Sequence, residues 1–369
     1  MNFLVIHHVA IGLIACAFAF YLVPFFTQAA FRFGVLDVPD GALKKHKAPV
    51  PYMGGIAIYL AFLGSIGLLY PIEERVMWLL VGATLLMFVG FIDDLKRIRP
   101  SRKLLGQFLG VASFLHGGLL IKQTFFASVA NLFLSGFWML SLINAVNLID
   151  IMDGLATTVA LVAAIGFCAV AAMTGQFGVS LLLLAFIGTL IGFFWYNKPA
   201  AKIYMGDAGS LFIGGFLAAV PLLIKWSAIS YEAYYAAVII PAIPLVEVAC
   251  LVVIRTWKGI PFYMGSPHHF AIYLQNKGWS RWGVLAFSAI MGMYLNLVSI
   301  AYLKQLFGIP GLLLTAAIFW AVWYVAVFSS LFVYPGSKLA TYMAAKRLEQ
   351  AKQEGQVIVS APAKNLQQP

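Results

Sequence analysis

Charged side chains are scarce in this 369-residue chain: they make up 10% of it and only 13 residues are acidic, whereas 62% are hydrophobic. Water-soluble globular domains carry about 25% charged residues, so this deficit excludes that class. The mean hydropathy is +0.92. Apolar blocks of about 20 residues recur along the chain, each long enough to cross about 30 Å of hydrocarbon. The composition therefore predicts an all-α polytopic membrane protein.

Cysteine is also rare, and its placement excludes two kinds of stabilisation. Cys16, Cys168 and Cys250 lie within apolar runs and show no Cys-x-x-Cys spacing, so we expect neither a disulfide framework nor a zinc site. The first apolar block lacks a basic region before it and extends well beyond signal-peptide length. We therefore expect it to be a retained span, with nothing cleaved.

The basic residues predict how the chain is oriented. Candidate spans lie at about 3–27, 53–70, 76–92, 104–121, 125–145, 155–175, 178–196, 209–226, 234–254, 283–303 and 310–333. If the N-terminus is outside, these eleven spans leave all but four of the 24 Lys and Arg residues on the inner side. The exceptions are Arg75, Lys122, Lys225 and Lys304. The positive-inside rule then places the C-terminus in the cytoplasm.

This distribution also accounts for the net charge of +11, so we expect no nucleic-acid partner. Residues 1–335 are predicted to form the transmembrane domain. Residues 336–369 are predicted to form a cytoplasmic tail, helical at first and disordered at its end.

Polar residues concentrate in five clusters, all at inner ends of spans. They are LDVPDGALKKHKAPVPYMGG (36–55), FIDDLKRIRPSRKLLGQ (91–107), NAVNLIDIMDGLA (144–156), WYNKPAAKIYMGDAGS (195–210) and RTWKGIPFYMGSPHHF (255–270). The outer connections are short and carry no comparable pattern. We therefore expect an active site at the cytoplasmic face.

Asp93 and Asp94 directly follow an apolar run, at a depth where an unpaired carboxylate is costly. They could mark a helix end neutralised by Lys96 and Arg97. Adjacent carboxylates repel each other, however, and a divalent cation bound through oxygen relieves that repulsion.

Asn147, Asp150 and Asp153 are spaced by three residues. On a continued helix they would spread over about 120° and face one cavity. A helix end followed by an Asp cap beside Gly154 would account for one of the acids. It would not account for two amides and two acids at membrane depth, which predict a cavity or binding site.

Asp207 lies between Gly206 and Gly209 at the start of the eighth span. Small residues allow close backbone approach there, and helix N-terminal amides favour anions, although an N-cap alone would also explain the pattern. Asn197 and Tyr204 offer an amide and an aromatic face suited to a nucleobase. Both residue types are also common at the membrane interface.

Two further inner segments carry cationic or imidazole side chains. His268 and His269, without a Cys or third His nearby, are a poor zinc site, but with Arg255 and Lys258 they could donate to phosphate oxygens. KKHK (44–47), which contains His46 and Lys47, is either inner positive charge or a phosphate clamp. Acids within a basic surround indicate a nucleotide-linked anionic substrate held by a divalent metal, with a second substrate drawn from the lipid.

The five motifs, in this order over about residues 30–275, resemble the polyprenyl-phosphate N-acetylhexosamine-1-phosphate transferases, the glycosyltransferase family 4 enzymes. The resemblance implies a Mg²⁺-dependent enzyme, with Mn²⁺ as a substitute, in the bacterial cytoplasmic membrane. Such an enzyme transfers a sugar 1-phosphate from a UDP-sugar to undecaprenyl phosphate and releases UMP. A homodimer is compatible with the family.

On matching positions, the resemblance implies that Asp93 is a base for the lipid phosphate, with Asp94 beside it. A phosphate monoester is already largely dianionic at neutral pH, so Asp93 as an electrostatic organiser is an equal alternative. The remaining implied roles are a Mg²⁺ ligand (Asp207), nucleotide and metal contacts (Asn147, Asp150, Asp153), uracil contacts (Lys47, Asn197, Tyr204) and phosphate or sugar contacts (Lys103, His268, His269). Within this set, the residues assigned to catalysis are Asp93, Asp94, Asp153 and Lys103. Those assigned to the metal are Asp207, Asp153 and Asp94.

The chain departs from the family pattern at two places. Ile151 stands where Gly is common, and the histidine loop reads SPHHF. The first loop and the predicted tail favour UDP-N-acetylglucosamine as donor, with a phospho-N-acetylmuramoyl-pentapeptide transferase as the alternative. A secondary transporter would instead place its polar residues near the midplane, commonly within internal repeats. A CDP-alcohol or prenyl-diphosphate enzyme would need acidic spacings that are absent.

Overall fold

The computed structural model describes residues 2–38, 48–121, 128–226, 229, 232–261 and 264–328. This part of the chain is almost entirely helical. The helices are α1 (Asn2–Phe33), α2 (Gly54–Leu69), α3 (Glu74–Lys96), α4 (Pro100–His116), α5 (Ser128–Ile149), α6 (Leu155–Met173), α7 (Phe177–Asn197), α8 (Gly206–Ala219), α9 (Tyr235–Ile239), α10 (Ala242–Trp257), α11 (Phe270–Asn276), α12 (Arg281–Leu303) and α13 (Ile309–Val327). Strands β1 (Leu36–Asp37) and β2 (Val50–Pro51) pair antiparallel between α1 and α2.

Each predicted span coincides with helix in the described residues. Eight helical segments are long and apolar enough to cross a membrane, one of them being α8 together with the 3-10 helix that continues it to Leu223, which confirms the all-α polytopic fold. Helices α2 and α4 are shorter, with 16 and 17 residues. The ninth predicted span is divided into α9 and α10 beside Pro241, because proline cannot donate the helical hydrogen bond. The count of eleven crossings and the inside-outside orientation stay predictions.

Helix α8 lies at the centre of the bundle. Of its most apolar window 89% is buried, compared with 22% for α1 and 11% for α13. It packs against α2, α3 and α5, and its small residues allow these neighbours to approach closely. A Cβ added to Gly55 would overlap the backbone of Gly209, and one added to Gly90 would lie 2.5 Å from Ala208 N. This packing brings the ends of α3 and α5 to the start of α8.

Residues Met1–Val322 form one compact unit. A second unit begins at Trp323, and the structure describes it as far as residue 328. The predicted tail, 336–369, and the KKHK segment with His46 and Lys47 lie outside the described residues.

Candidate active site

Lys103, near the start of α4, contacts Asp93 of its own polar cluster and one polar side chain from each of two other clusters. Its Nζ lies 3.0 Å from Asp93 Oδ2, 2.8 Å from Asp207 Oδ2 and 3.3 Å from Asn147 Oδ1. The amide of Asn147 in turn donates to Asp207 Oδ1 at 2.5 Å and to Ser210 Oγ at 2.8 Å. The cation that contacts Asp93 is therefore Lys103, which comes from another helix, and both oxygens of Asp207 accept hydrogen bonds.

Asp94, near the end of α3, accepts hydrogen bonds from backbone amides at the start of α8. Its Oδ1 accepts the backbone N–H of Asp207 at 2.8 Å, and its Oδ2 accepts that of Ala208 at 3.0 Å. A carboxylate is favoured at this position by the unpaired amides and the dipole of a helix N-terminus. The anion that we expected at this helix end is thus supplied by the protein itself. Asp207 belongs to the first turn of α8 and is not its N-cap residue, which is Met205.

Asp93 also has both carboxylate oxygens engaged. Oδ1 accepts the backbone N–H of Ile98 at 2.7 Å, just beyond the end of α3, and Oδ2 contacts Lys103. These two contacts fix the orientation of the Asp93 carboxylate.

These acids line a cavity of about 730 Å³, which we call the acidic cavity. Its wall includes Asp37, Asp93, Asp94, Asn147, Asp150 and Asp207. Asp37 was not predicted as a site residue, although it lies in the first of the five polar clusters. Within the described residues no three carboxylate, imidazole or thiol groups converge as a ligand set for a metal ion.

Asp153 lies in an adjoining cavity of about 460 Å³, which we call the aromatic cavity. The expectation of one continued helix face is wrong: α5 ends at Ile149, and a turn carries Asp153 away from Asn147. The two cavities share Asp37, Tyr52, Asp150 and Gly206 in their walls. Asp150 therefore faces both.

The partner of Asp153 is Arg281, the first residue of α12, which was not predicted as a site residue. Arg281 donates to Asp153 Oδ2 at 2.6 Å, and the Ala201 N–H donates to the same oxygen at 3.2 Å. Asp153 does not cap α6, whose N-cap is Gly154 in a left-handed conformation with φ of 74°. No sequence motif marks Arg281, because it follows a loop without a recognisable pattern.

Asn197 and Tyr204 both line the aromatic cavity, but they differ in what they can offer a ligand. Asn197 accepts from Gly154 N and Thr157 Oγ1 and donates to Ile203 O, all within 3.1 Å. Its amide therefore ties the turn after α5 to the loop after α7. Tyr204 is half-buried, and burial followed by the charge of Asp153 raises its pKa to about 12, so it presents a neutral aromatic ring.

The histidine loop forms a separate cluster. His269 Nδ1 lies 3.0 Å from Glu247 Oε1, and Arg255 donates to Ser266 Oγ at 2.9 Å. Lys258 Nζ lies 3.1 Å from His268 Nε2. Burial, followed by the charge of Lys258, lowers the pKa of His268 to about 4. His268, His269 and Arg255 are not among the residues that line either cavity.

Ile151, the departure from the family pattern, lines the aromatic cavity with its side chain 38% exposed. Apart from glycines, the described residues with a left-handed backbone are Arg97 and Gln305. Ile151 therefore has no conformation that requires glycine.

Asp150 has a proton affinity far above that of an ordinary aspartate. Burial, followed by the charges of Asp207, Asp94 and Asp153, raises its pKa to about 8. Its carboxyl is therefore protonated at neutral pH unless a cation offsets these charges.

Asp150→Asn should raise the unfolding temperature of protein freed of divalent cations, and its advantage over wild type should widen from pH 5 to pH 8. The raised pKa of Asp150 stabilises the folded wild type in full at a pH below the pKa of this group in the unfolded chain, which is about 4. This contribution is lost as the pH rises through its pKa in the folded state. Asparagine has no proton to lose. Thermal unfolding in detergent with a chelator measures the difference, and a constant gap would contradict the raised pKa of Asp150.

Comparison with known proteins agrees with this geometry. The protein-family model described as Glycosyl transferase family 4 matches residues 76–225, the segment that contains Asp93, Lys103, Asn147 and Asp207. The phospho-N-acetylmuramoyl-pentapeptide-transferases of Bacillus thuringiensis (strain Al Hakam) and Bacillus cereus (strain AH187) are each 30% identical to the chain over 319 residues. Each alignment covers 77% of this chain and 95% of the relative. The chain therefore belongs to glycosyl transferase family 4 and is a membrane-embedded phosphosugar transferase.

Proposed function

We propose that the protein transfers the sugar 1-phosphate of a UDP-N-acetylhexosamine, in the first place UDP-N-acetylglucosamine, to undecaprenyl phosphate in the bacterial cytoplasmic membrane. The products are UMP and a lipid-linked diphosphosugar that initiates cell-envelope polysaccharide synthesis. The observation that carries the proposal is the pair of adjoining cavities, one acidic and one aromatic, with a common wall that includes Asp150. Such a pair can hold the diphosphate and the nucleobase of one donor.

The acidic cavity also suits an acceptor that arrives from the bilayer. Its wall includes Phe33 at the end of α1 and Leu95 near the end of α3, whose side chains are 74% and 48% exposed. These apolar groups lie at the same end of the bundle as Asp93 and Asp207. A lipid phosphate could therefore reach Lys103 while its chain remains against apolar surface.

Lys103 supplies positive charge beside the acidic cavity, whose wall also includes Lys96 and Arg97. Its Nζ lies within 3.3 Å of Asp93, Asp207 and Asn147, so it can counter phosphoryl charge that develops during transfer. Asp93 keeps this ammonium group in place through Oδ2, while Oδ1 is bound to Ile98 N. Because the lipid phosphate is largely dianionic at neutral pH, this arrangement supports Asp93 as an electrostatic organiser over a general base.

The donor set fits Mg²⁺, although three carboxylates do not converge. Mg²⁺ prefers oxygen ligands and is usually held by one or two carboxylates together with water and substrate phosphates. Asp207 and Asp150 provide carboxylates in the acidic cavity, and Asn147 provides an amide oxygen. When bound, Mg²⁺ would neutralise the donor diphosphate and the UMP leaving group. Asp94 would act indirectly, since both of its oxygens hold the start of α8.

Two donors remain to be separated by experiment. The relatives named above are phospho-N-acetylmuramoyl-pentapeptide-transferases, which favours the pentapeptide-bearing donor. Both histidines of the SPHHF loop are buried beside Glu247 and Lys258 and line neither cavity, so they do not distinguish the two donors.

Purified protein should release UMP only when a UDP-N-acetylhexosamine, undecaprenyl phosphate and Mg²⁺ are all present. A screen of UDP-N-acetylglucosamine, UDP-N-acetylgalactosamine and UDP-N-acetylmuramoyl-pentapeptide identifies the donor. Faster turnover of the pentapeptide donor would replace UDP-N-acetylglucosamine in the proposal. Absence of UMP with every donor would contradict the proposed reaction.

Arg281→Ala should raise the KM for the UDP-sugar about tenfold, which corresponds to about 1.4 kcal/mol, and change kcat less. The substitution leaves Asp153 without its cationic partner at the wall of the aromatic cavity. Steady-state kinetics with varied donor tests this result. Lys304→Ala, at the exposed opposite end of α12, is the matched control and should behave as wild type.

A further inference from the structure

A buried amide side chain, Gln107, and a half-buried one, Asn144, face each other between α4 and α5. Gln107 Nε2 donates to Asn144 Oδ1 at 3.1 Å, and Asn144 Nδ2 donates back to Gln107 Oε1 at 2.8 Å. The Asn144 amide also donates to Leu140 O, one turn earlier in its own helix, at 2.8 Å. Gln107 is 1% exposed. We call Gln107 and Asn144 the amide pair.

The amide pair lies one turn from the active site on both helices. Gln107 follows Lys103 by four residues on α4, and Asn144 precedes Asn147 by three on α5. Residues at these spacings share a helix face. The pair is therefore on the same faces as Lys103 and Asn147, about one helical turn farther along α4 and α5 from the end that carries the acids.

The alignment of α4 with α5 decides whether Lys103 and Asn147 meet. Helix α4 packs more extensively on α3 than on α5, and α5 packs more extensively on α8, so the direct interface between α4 and α5, in which the amide pair lies, is comparatively small. A slip of one residue would move Lys103 by about 1.5 Å and rotate it by about 100°. Its Nζ would then leave Asp207, which it now contacts at 2.8 Å.

Reciprocal amide bonds exist in one register only, because each donor must meet an acceptor on the other helix. Interhelical polar contacts of this kind contribute modest stability within membranes. Their directionality, however, selects one alignment among several that would bury similar apolar area.

We propose that Gln107 and Asn144 are positioning residues for the transfer reaction: the amide pair sets the α4–α5 register that brings Lys103 and Asn147 to Asp207. The inference rests on the proposed function, since its effect is read in turnover. Neither residue lines the acidic or the aromatic cavity, so both act through Lys103 and Asn147.

The test compares four variants in detergent-solubilised full-length protein. Gln107→Leu breaks the pair, Gln107→Leu with Asn144→Leu removes both amides, and Gln107→Asn with Asn144→Gln exchanges them. Thr189→Val is the control, because among the described residues this buried hydroxyl bonds only to Ala185 O, within α7. For each variant we would measure the unfolding temperature, kcat, KM for both substrates and the calorimetric stoichiometry of UDP-N-acetylglucosamine binding. The stoichiometry reports the fraction of binding-competent sites, so kcat can be expressed per site.

Gln107→Leu and the double leucine variant should lose about 10- to 100-fold in kcat per site, with KM for the donor within about threefold of wild type, since small misplacements have effects of this size. The double leucine variant should unfold near the wild-type temperature, because it leaves no amide unpaired. The exchanged pair should recover kcat to within about fivefold, and Thr189→Val should match wild type.

A double leucine variant with wild-type kcat per site would overturn the inference, as would loss of activity that follows only the fraction of binding-competent sites. If the leucine variants are not recovered folded, the test is made with the Gln107→Asn, Asn144→Gln variant. An exchanged variant that binds the donor normally but does not turn over would contradict the register argument. Wild-type protein that releases no UMP would instead overturn the proposed function, and this inference with it.

Discussion

Asp207→Asn should reduce turnover by at least about 1000-fold in a protein that still inserts into the membrane and unfolds near the wild-type temperature. Asp207 is the residue on which the site converges: Lys103 contacts its Oδ2 at 2.8 Å and Asn147 its Oδ1 at 2.5 Å. Asparagine retains the shape but removes the negative charge. Lys103 would then pair with Asp93 alone, and the proposed Mg²⁺ would lose a carboxylate at the start of α8.

The measurement is metal-dependent UMP release at saturating donor and acceptor, together with Mg²⁺ binding followed by calorimetry. Glu232→Gln is the matched control, because this carboxylate bonds to Tyr302 at 3.0 Å and does not line either cavity. Near-normal turnover of Asp207→Asn would rule out the metal assignment. Normal Mg²⁺ binding with lost turnover would assign Asp207 to the placement of Lys103 instead.

Gly90→Ala should reduce turnover by at least about 100-fold, although Gly90 contacts no substrate in our proposal. Gly90 lies on α3 one turn before Asp94 and faces the first turn of α8. An added Cβ would lie 2.5 Å from Ala208 N and closer still to the Asp207 carbonyl. Backbone cannot move aside as a flexible side chain can, so α3 and α8 would separate and Asp94 would lose its bonds to Asp207 and Ala208.

Gly67→Ala and Gly136→Ala provide the controls for this result. Both glycines are helical, and a Cβ at either position would meet nothing within 4 Å. Alanine there should preserve activity and raise stability slightly, by about 0.4–1 kcal/mol, because it restricts the unfolded chain. Thermal unfolding and UMP release would be measured for all three variants. An active Gly90→Ala enzyme would show that α3 and α8 tolerate a wider spacing at the site.

The helical segments could be read from the sequence because hydropathy is a local property. Each predicted span overlaps a helix in the described residues, with the largest difference at Pro241, where one predicted span is two helices. The grouping of acidic residues at one end could also be predicted, because topology places the end of α3, the end of α5 and the start of α8 on the same side. The structure brings Asp93, Asp94, Asn147, Asp150 and Asp207 to one cavity.

The partners of these residues could not be predicted. Asp94 holds backbone amides 113 and 114 positions away, and Arg281 reaches Asp153 across 128 positions. Asn197, expected to contact uracil, instead has its amide engaged within the protein. No periodicity in the chain encodes such distances, because they depend on how closely the helices pack.

The sequence by itself determined that this protein is a polytopic helical membrane protein of a phosphosugar transferase family. The lengths of the apolar segments, the positions of the charges and the order of the motifs are all properties of the linear chain. Only the tertiary structure decided which acids bind Lys103, which one holds α8, and that Asp153 belongs to a second cavity. The reason is physical: carboxylates so similar in sequence are distinguished by the donors within about 3 Å of them. Those donors are positioned by close helix packing around α8, where Gly55 and Gly90 admit the neighbouring backbone.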